Sequence, residues 1–114
     1  MITPYIEHRP WGMFEKFCEN MQCTVKVLTI EPHQSISLQF HHHRDEFWKI
    51  LDGSARIIIG DQIIDATAGE EFFIPRETKH RIEAVDETVD ILEIALGEFD
   101  ENDITRLEDR YHRV

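Results

Sequence analysis

From residue 23 to residue 96 the chain is a succession of short β-type runs, each stopped by a turn signal, and this punctuation limits the folds open to it. Cys23–Ile30 is rich in β-branched residues and ends at Glu31-Pro32-His33-Gln34, where proline has no amide proton to give to a ladder. Ile36, Leu38 and Phe40 then alternate with Ser37, Gln39 and His41. Phe47–Leu51 closes on Asp52-Gly53, Ala55–Ile59 on Gly60-Asp61, Ile63–Ala66 precedes Gly69, and Phe72–Ile74 precedes Pro75. Arg81–Val85 turns at Asp86-Glu87 into the long run Val89–Leu96. Turn dipeptides between such runs are hairpin signals, and short strands spaced roughly eight to ten residues apart belong to sandwiches and barrels. A double-sheet jelly roll is the expected architecture, because its interior can accept a strand with one polar face.

The expected chain is therefore all-β and forms one domain, residues 1–114, with residues 1–12 an irregular N-terminal arm and a first short strand at Met13–Cys18. The apolar positions of Cys23–Ile30 slip near Val27-Leu28, which predicts a bulge or a strand buried on both faces. Helix is expected only in Glu98–Tyr111, as one or two C-terminal turns. Trp11 and Trp48 are read as core aromatics.

A length of 114 residues suffices for one core. Twelve Lys and Arg against 23 Asp and Glu give a net charge of −11, which opposes nucleic-acid backbones and anionic membrane surfaces. No apolar run reaches membrane-span length, and the first ten residues lack the pattern of a signal peptide, so a cytoplasmic location is expected. In that compartment Cys18 and Cys23 are expected as free thiols, their spacing being too long for a C-x-x-C motif.

Chemistry concentrates in Ser37–Gly53, SLQFHHHRDEFWKILDG. If this stretch is extended, Gln39, His41 and His43 share one face and Phe40 and His42 the other. Imidazole and carboxylate suit Zn, Fe, Ni or Mn, with Zn taken first, and Glu46 and the distant His80 can complete a pocket. A solvated histidine loop is the competing reading. The residues alone leave two ligand sets open: Gln39, His41, Glu46 and His80, or His41, His43, Glu46 and His80.

Two blocks resemble the paired cupin motifs, G-x5-H-x-H-x3,4-E-x6-G and G-x5-P-x-G-x2-H-x3-N. Gln39, His41, Glu46 and Gly53 match the spacing of the first, and Gly69, Pro75 and His80 that of the second. His33, Gln39, Glu77 and Ala84 stand where the pattern has glycine, histidine, glycine and asparagine. This spacing favours the ligand set that contains Gln39. A narrower resemblance runs through RPWGMFE, SLQFHHHRDEFWKILDGSA, FIPRETKHRIE and ENDITRLEDRY, which look like the C-terminal cupin domain of type II mannose-6-phosphate isomerases, often fused to a mannose-1-phosphate guanylyltransferase. Phe47 replaces a histidine usual in that family, and His112 a glycine.

The resemblance implies a metal-dependent interconversion of mannose 6-phosphate and fructose 6-phosphate. His43, Arg44 and Glu46 are then the candidate catalytic groups, and Arg44, Lys49, Lys79 and Arg81 the candidate cations for the phosphate. The alternatives are a cupin that binds metal or sugar without catalysis, and a cupin dioxygenase. The expected partner is a small sugar phosphate, with a homodimer formed through exposed sheet edges or the arm Tyr5–Gly12.

Overall fold

Arg44, Glu46, Trp48 and Ile50 point to one side of their strand and Asp45, Phe47 and Lys49 to the other, and the same alternation on neighbouring strands builds two sheets around a shared interior. The protein is described here by a computed structural model over residues 3–113. Its strands are β1 (Tyr5–Arg9), β2 (Gly12–Lys16), β3 (Cys23–Ile30), β4 (Leu38–Phe40), β5 (Arg44–Asp52), β6 (Ser54–Ile59), β7 (Gln62–Thr67), β8 (Glu71–Ile74), β9 (His80–Ala84), β10 (Val89–Gly97) and β11 (Thr105–Glu108). One sheet has the order β3-β10-β5-β8 and the facing one β11-β4-β9-β6-β7, with every pairing antiparallel. Chain order passes back and forth between the two, which is the jelly-roll topology the turn punctuation predicted.

Between the sheets lie Trp48, Ile50, Ile57, Ile74, Ile82, Val89 and Ile91, all essentially sealed from solvent. A smaller apolar cluster of Phe47, Ile94 and Leu96 lies on the outer face of the first sheet, covered by Phe17, Cys18 and Cys23. The two cysteines are free thiols, as expected, with their sulfurs 3.9 Å apart.

Several local expectations are corrected. The N-terminal arm is not irregular over its described part: β1 and β2 form a hairpin in register from Tyr5 with Lys16 to Arg9 with Gly12. Pro10 and Trp11 make its turn, so proline sits where no ladder proton is needed, and Trp11 is 73% exposed rather than in the core. No helix forms among the described residues at the C-terminus. Thr105–Glu108 is instead β11, added to the otherwise open edge of the three-residue strand β4. Unpaired backbone groups on that edge outweigh the weak helical preference of a charged segment. Nor does β3 carry a bulge. Lys26, Leu28 and Ile30 turn inward while Val25 and Val27 are more than half exposed, so the apolar slip marks an outward-facing apolar pair.

Positions where the cupin and isomerase patterns carry glycine keep a glycine-like backbone here without the glycine. His33, Glu77 and His112 have φ of 64°, 65° and 61°. Left-handed backbone costs an L-residue about 1–2 kcal/mol, because Cβ crowds the following carbonyl. Glu77 is exposed, and its backbone N–H donates to the His41 carbonyl, a bond that glycine keeps. Glu77→Gly is therefore expected to raise stability by about 0.5–1 kcal/mol once the greater freedom of glycine in the unfolded chain is deducted. Urea denaturation would check this, and a lower midpoint for the variant would refute it.

Candidate metal centre

Three residues from separate segments converge. Glu46 projects inward from β5, His80 opens β9, and His41 follows the end of β4; one ligand atom from each lies within 4.8 Å of the others. The His80 Nε2 is 3.1 Å and the His41 Nε2 3.8 Å from Glu46 Oε1, with all three side chains 1–2% exposed. Each imidazole is oriented by its other nitrogen. The Nδ1 of His41 donates to the Asp103 carbonyl at 2.6 Å and that of His80 to the Thr78 carbonyl at 2.9 Å. This leaves both Nε2 atoms on the side of the carboxylate, where that of His80 has no hydrogen-bond partner and that of His41 accepts from the Arg44 guanidinium at 3.2 Å.

The His80 lone pair facing a carboxylate oxygen repels it unless a cation lies between them, and Glu46 Oε1 and His80 Nε2 are buried without a hydrogen-bond partner. Ligands about 2.1 Å from a tetrahedral ion stand about 3.4 Å apart, within the spread of the separations here. The donor set therefore fits a divalent metal ion. Burial pushes Glu46 towards its neutral form, but contact with His80 and the positive charge of the Arg44 guanidinium prevail and hold its pKa below the usual range. Burial lowers the pKa of His41, keeping its imidazole neutral as a ligand must be.

Trp48 stands edge-on to His80, with ring centroids 5.4 Å apart, and forms the floor of the site. Arg44, 7% exposed, lies beside the centre: one guanidinium nitrogen is 3.2 Å from His41 Nε2, its Nε is 3.6 Å from Glu46, another nitrogen donates to the Asp100 carbonyl, and the group stacks on Phe99 at 4.4 Å. A cavity of about 300 Å³ opens above, lined among others by Lys26, Gln39, His41, Arg44, Glu93 and Arg106.

The remaining sequence candidates are placed differently. Gln39 shares this face and pairs in register with His80, but its amide oxygen accepts a hydrogen bond from Ser37 at 2.8 Å. His43 is exposed and outside the cluster, because β4 stops at Phe40 and the two-residue alternation does not continue through 41–43. The Asp103 carboxylate accepts from the backbone N–H groups of His42 and His43 at 2.9 and 3.0 Å, folding that segment into a turn and swinging His43 outward. Burial raises the pKa of the Asp103 carboxyl, but those two bonds and the nearby imidazoles of His43 and His41 together outweigh it and hold the group below its ordinary value.

Lys49, Lys79 and Arg81 do not reach the cavity. Lys49 lies on the outer face of β5, paired with Glu15 and Glu71; Lys79 pairs with Asp61; Arg81 faces out from β9 to Glu108 and the Ile36 carbonyl. Phe47 is on the outer face too, 5.6 Å from Phe17 between ring centroids, so the family histidine it replaces would not have entered this cluster.

Sequence reasoning passed over Lys26, Glu93, Arg106 and Asp103. Glu93 left a readable signal, a lone carboxylate at an inward position of the apolar run VDILEIALG. It is 7% exposed and its pKa is pushed up to about 7, first by burial and then by the negative charge of Glu46, with Lys26, Arg44 and His80 opposing.

A family model described as "Mannose-6-phosphate isomerase C-terminal" matches residues 4–109. The mannose-1-phosphate guanylyltransferase ManC of Salmonella typhimurium is 34% identical over 109 residues, which cover 94% of this chain and 23% of ManC. The chain thus spans about a quarter of that relative's length. Among solved structures, a cupin protein from Bacteroides fragilis superposes with a TM-score of 0.61 at 22% identity, over 71% of this chain and 74% of that one. The oxalate decarboxylase of Bacillus subtilis, a protein with Mn(II) centres, does so with 0.67 at 26% identity, over 77% of this chain and 25% of its own. The fold is a cupin jelly roll. No helix among the described residues is long and apolar enough to cross a membrane.

Proposed function

Since this chain belongs to the mannose-6-phosphate isomerase C-terminal family, we propose that it is a metal-dependent sugar-phosphate isomerase domain that interconverts mannose 6-phosphate and fructose 6-phosphate. The observation that carries the reading is the buried His41, Glu46 and His80 cluster, with two oriented imidazoles and an unpartnered carboxylate oxygen, adjoining a polar cavity through His41.

Aldose and ketose differ by a proton moved between C1 and C2, with negative charge developing on the neighbouring oxygens along the way. A divalent ion, zinc in the first instance, held by His41, Glu46 and His80 would supply Lewis-acid stabilisation of that charge. Arg44, fixed by His41, Glu46 and the Asp100 carbonyl, adds a permanent positive charge beside it. The proton carrier needs a buried ionisable group on the cavity wall, and the Glu93 carboxyl is one. It replaces His43 in that role, since His43 is turned away. The apolar floor of Trp48 excludes water from the inner side.

The purified chain should produce fructose 6-phosphate from mannose 6-phosphate in a coupled assay, lose the activity in EDTA, and regain it when one of zinc, manganese, iron or nickel is restored. Metal-loaded protein that converts no mannose 6-phosphate would end the isomerase reading in favour of a binding cupin.

A further inference from the structure

Of the cations that face the cavity, one has no structural employment. Arg44 is committed to His41, Glu46 and Asp100, and Arg113 is locked on Asp109 by three hydrogen bonds. Among the described residues Arg106 has no carboxylate partner, and its Nε is buried without any hydrogen bond. The buried Nε loses its hydration without compensation, and an anion on the guanidinium fork would restore a partner to it.

Its position is set by the sheet. Arg106 on β11 pairs in register with Gln39 on β4, and Gln39 in turn with His80 on β9, so the three occupy one row across the interior face. Two strand spacings separate the backbones of Arg106 and His80 by about 10 Å. Lys26 reaches the same cavity from β3, the edge strand of the facing sheet. Its pairing with Glu101 is at the surface, where Glu101 is 76% exposed, and such a pair is readily exchanged for a stronger anion. Two cations on the edge strands β11 and β3, with the ligand cluster about two strands further in, match a molecule with a dianionic group at one terminus and a carbonyl several carbons away.

We propose that Arg106, supported by Lys26, forms a phosphomonoester subsite that anchors the 6-phosphate end of a hexose phosphate while its carbonyl end lies over His41, Glu46 and His80. The choice of a hexose phosphate rests on the isomerase reading above; the affinity of the pocket for a phosphomonoester does not.

Calorimetric titration of the metal-loaded chain with mannose 6-phosphate, mannose and inorganic phosphate tests the assignment apart from catalysis. Wild-type protein should bind mannose 6-phosphate at least about tenfold more tightly than mannose. Arg106→Gln should abolish that preference and leave mannose binding and metal content unchanged. Arg106→Lys should recover part of it, and Arg81→Gln, on the outer face, should change nothing. Inorganic phosphate that binds as tightly as mannose 6-phosphate would show a free-anion site and overturn the sugar anchor. An unchanged preference in a folded Arg106→Gln, with circular dichroism matching wild type, would also overturn it, as would equal wild-type affinity for mannose 6-phosphate and mannose. Turnover read in parallel separates the two ideas: binding through Arg106 without isomerisation removes the activity and keeps the subsite, whereas isomerisation unaffected by Arg106→Gln keeps the activity and removes the subsite.

Discussion

Glu46→Gln is expected to strip the protein of tightly held divalent metal and to lower isomerase turnover on the order of 10³-fold, while the fold survives. Glutamine preserves the volume and one carbonyl oxygen but removes the only negative charge among His41, Glu46 and His80. Two neutral imidazoles are then left to balance a doubly charged ion in a site sealed from water, where the missing Coulomb attraction is large. Arg44 loses an ionic partner, yet its contacts with the Asp100 carbonyl and the Phe99 ring remain, and β5 keeps its ladder to β10 and β8. Metal analysis after gel filtration should find about one ion per wild-type chain and a small fraction of that in the variant. Full metal content together with wild-type turnover in Glu46→Gln would remove this carboxylate from the centre.

Glu93→Gln should separate stability from activity. A carboxyl whose pKa is raised from 4.5 to about 7 in the folded state is protonated there at pH values where the unfolded chain has already ionised it. Its contribution is fully present below about pH 4.5 and is lost as the pH rises through 7, because ionising the buried group works against the fold. The displacement corresponds to on the order of 3 kcal/mol. A neutral amide escapes this cost, so in metal-free protein Glu93→Gln should be more stable than wild type at pH 8 by up to about 3 kcal/mol. The difference should shrink towards pH 5. Urea denaturation at the two pH values with EDTA present reads this directly. If Glu93 carries the C1–C2 proton, the same substitution should lower kcat by about 10²-fold or more, giving a stabler and nearly inactive protein. Equal stability of the two proteins at pH 8 would mean that Glu93 is solvated. Full activity in the variant would move the proton to another group.

How much of this was readable in the chain differs from residue to residue. His41, Glu46 and His80 were legible because a metal demands particular donor atoms and the E-x6-G and P-x4-H spacings set them on strands, or just past a strand's end, that face one another across the interior. The turn at Asp52-Gly53 was legible for a similar reason: Gly53 has φ of 82°, and a Cβ there would lie 2.3 Å from the Thr88 carbonyl oxygen. The histidine run shows where such reading stops. Period-two logic put His43 beside His41, but Asp103, sixty residues downstream, binds the backbone of His42 and His43 and breaks the period. Local pattern cannot contain a hydrogen bond from so distant a segment.

The sequence by itself determined the strand-and-turn rhythm, the two-sheet interior and the identity of three converging side chains with the donor atoms to hold a metal, because steric rules for glycine and proline, side-chain alternation and donor chemistry act over a few residues. Only the tertiary structure decided which of the many charged side chains enter the cavity. Lys26 and Arg106 face inward and Lys49, Lys79 and Arg81 do not, because that choice is made by the facing of strands and by the pairing of β11 with β4. Strand pairing joins segments far apart in the chain, and nothing local to Thr105–Glu108 distinguishes a frayed helical turn from the strand that closes an open edge.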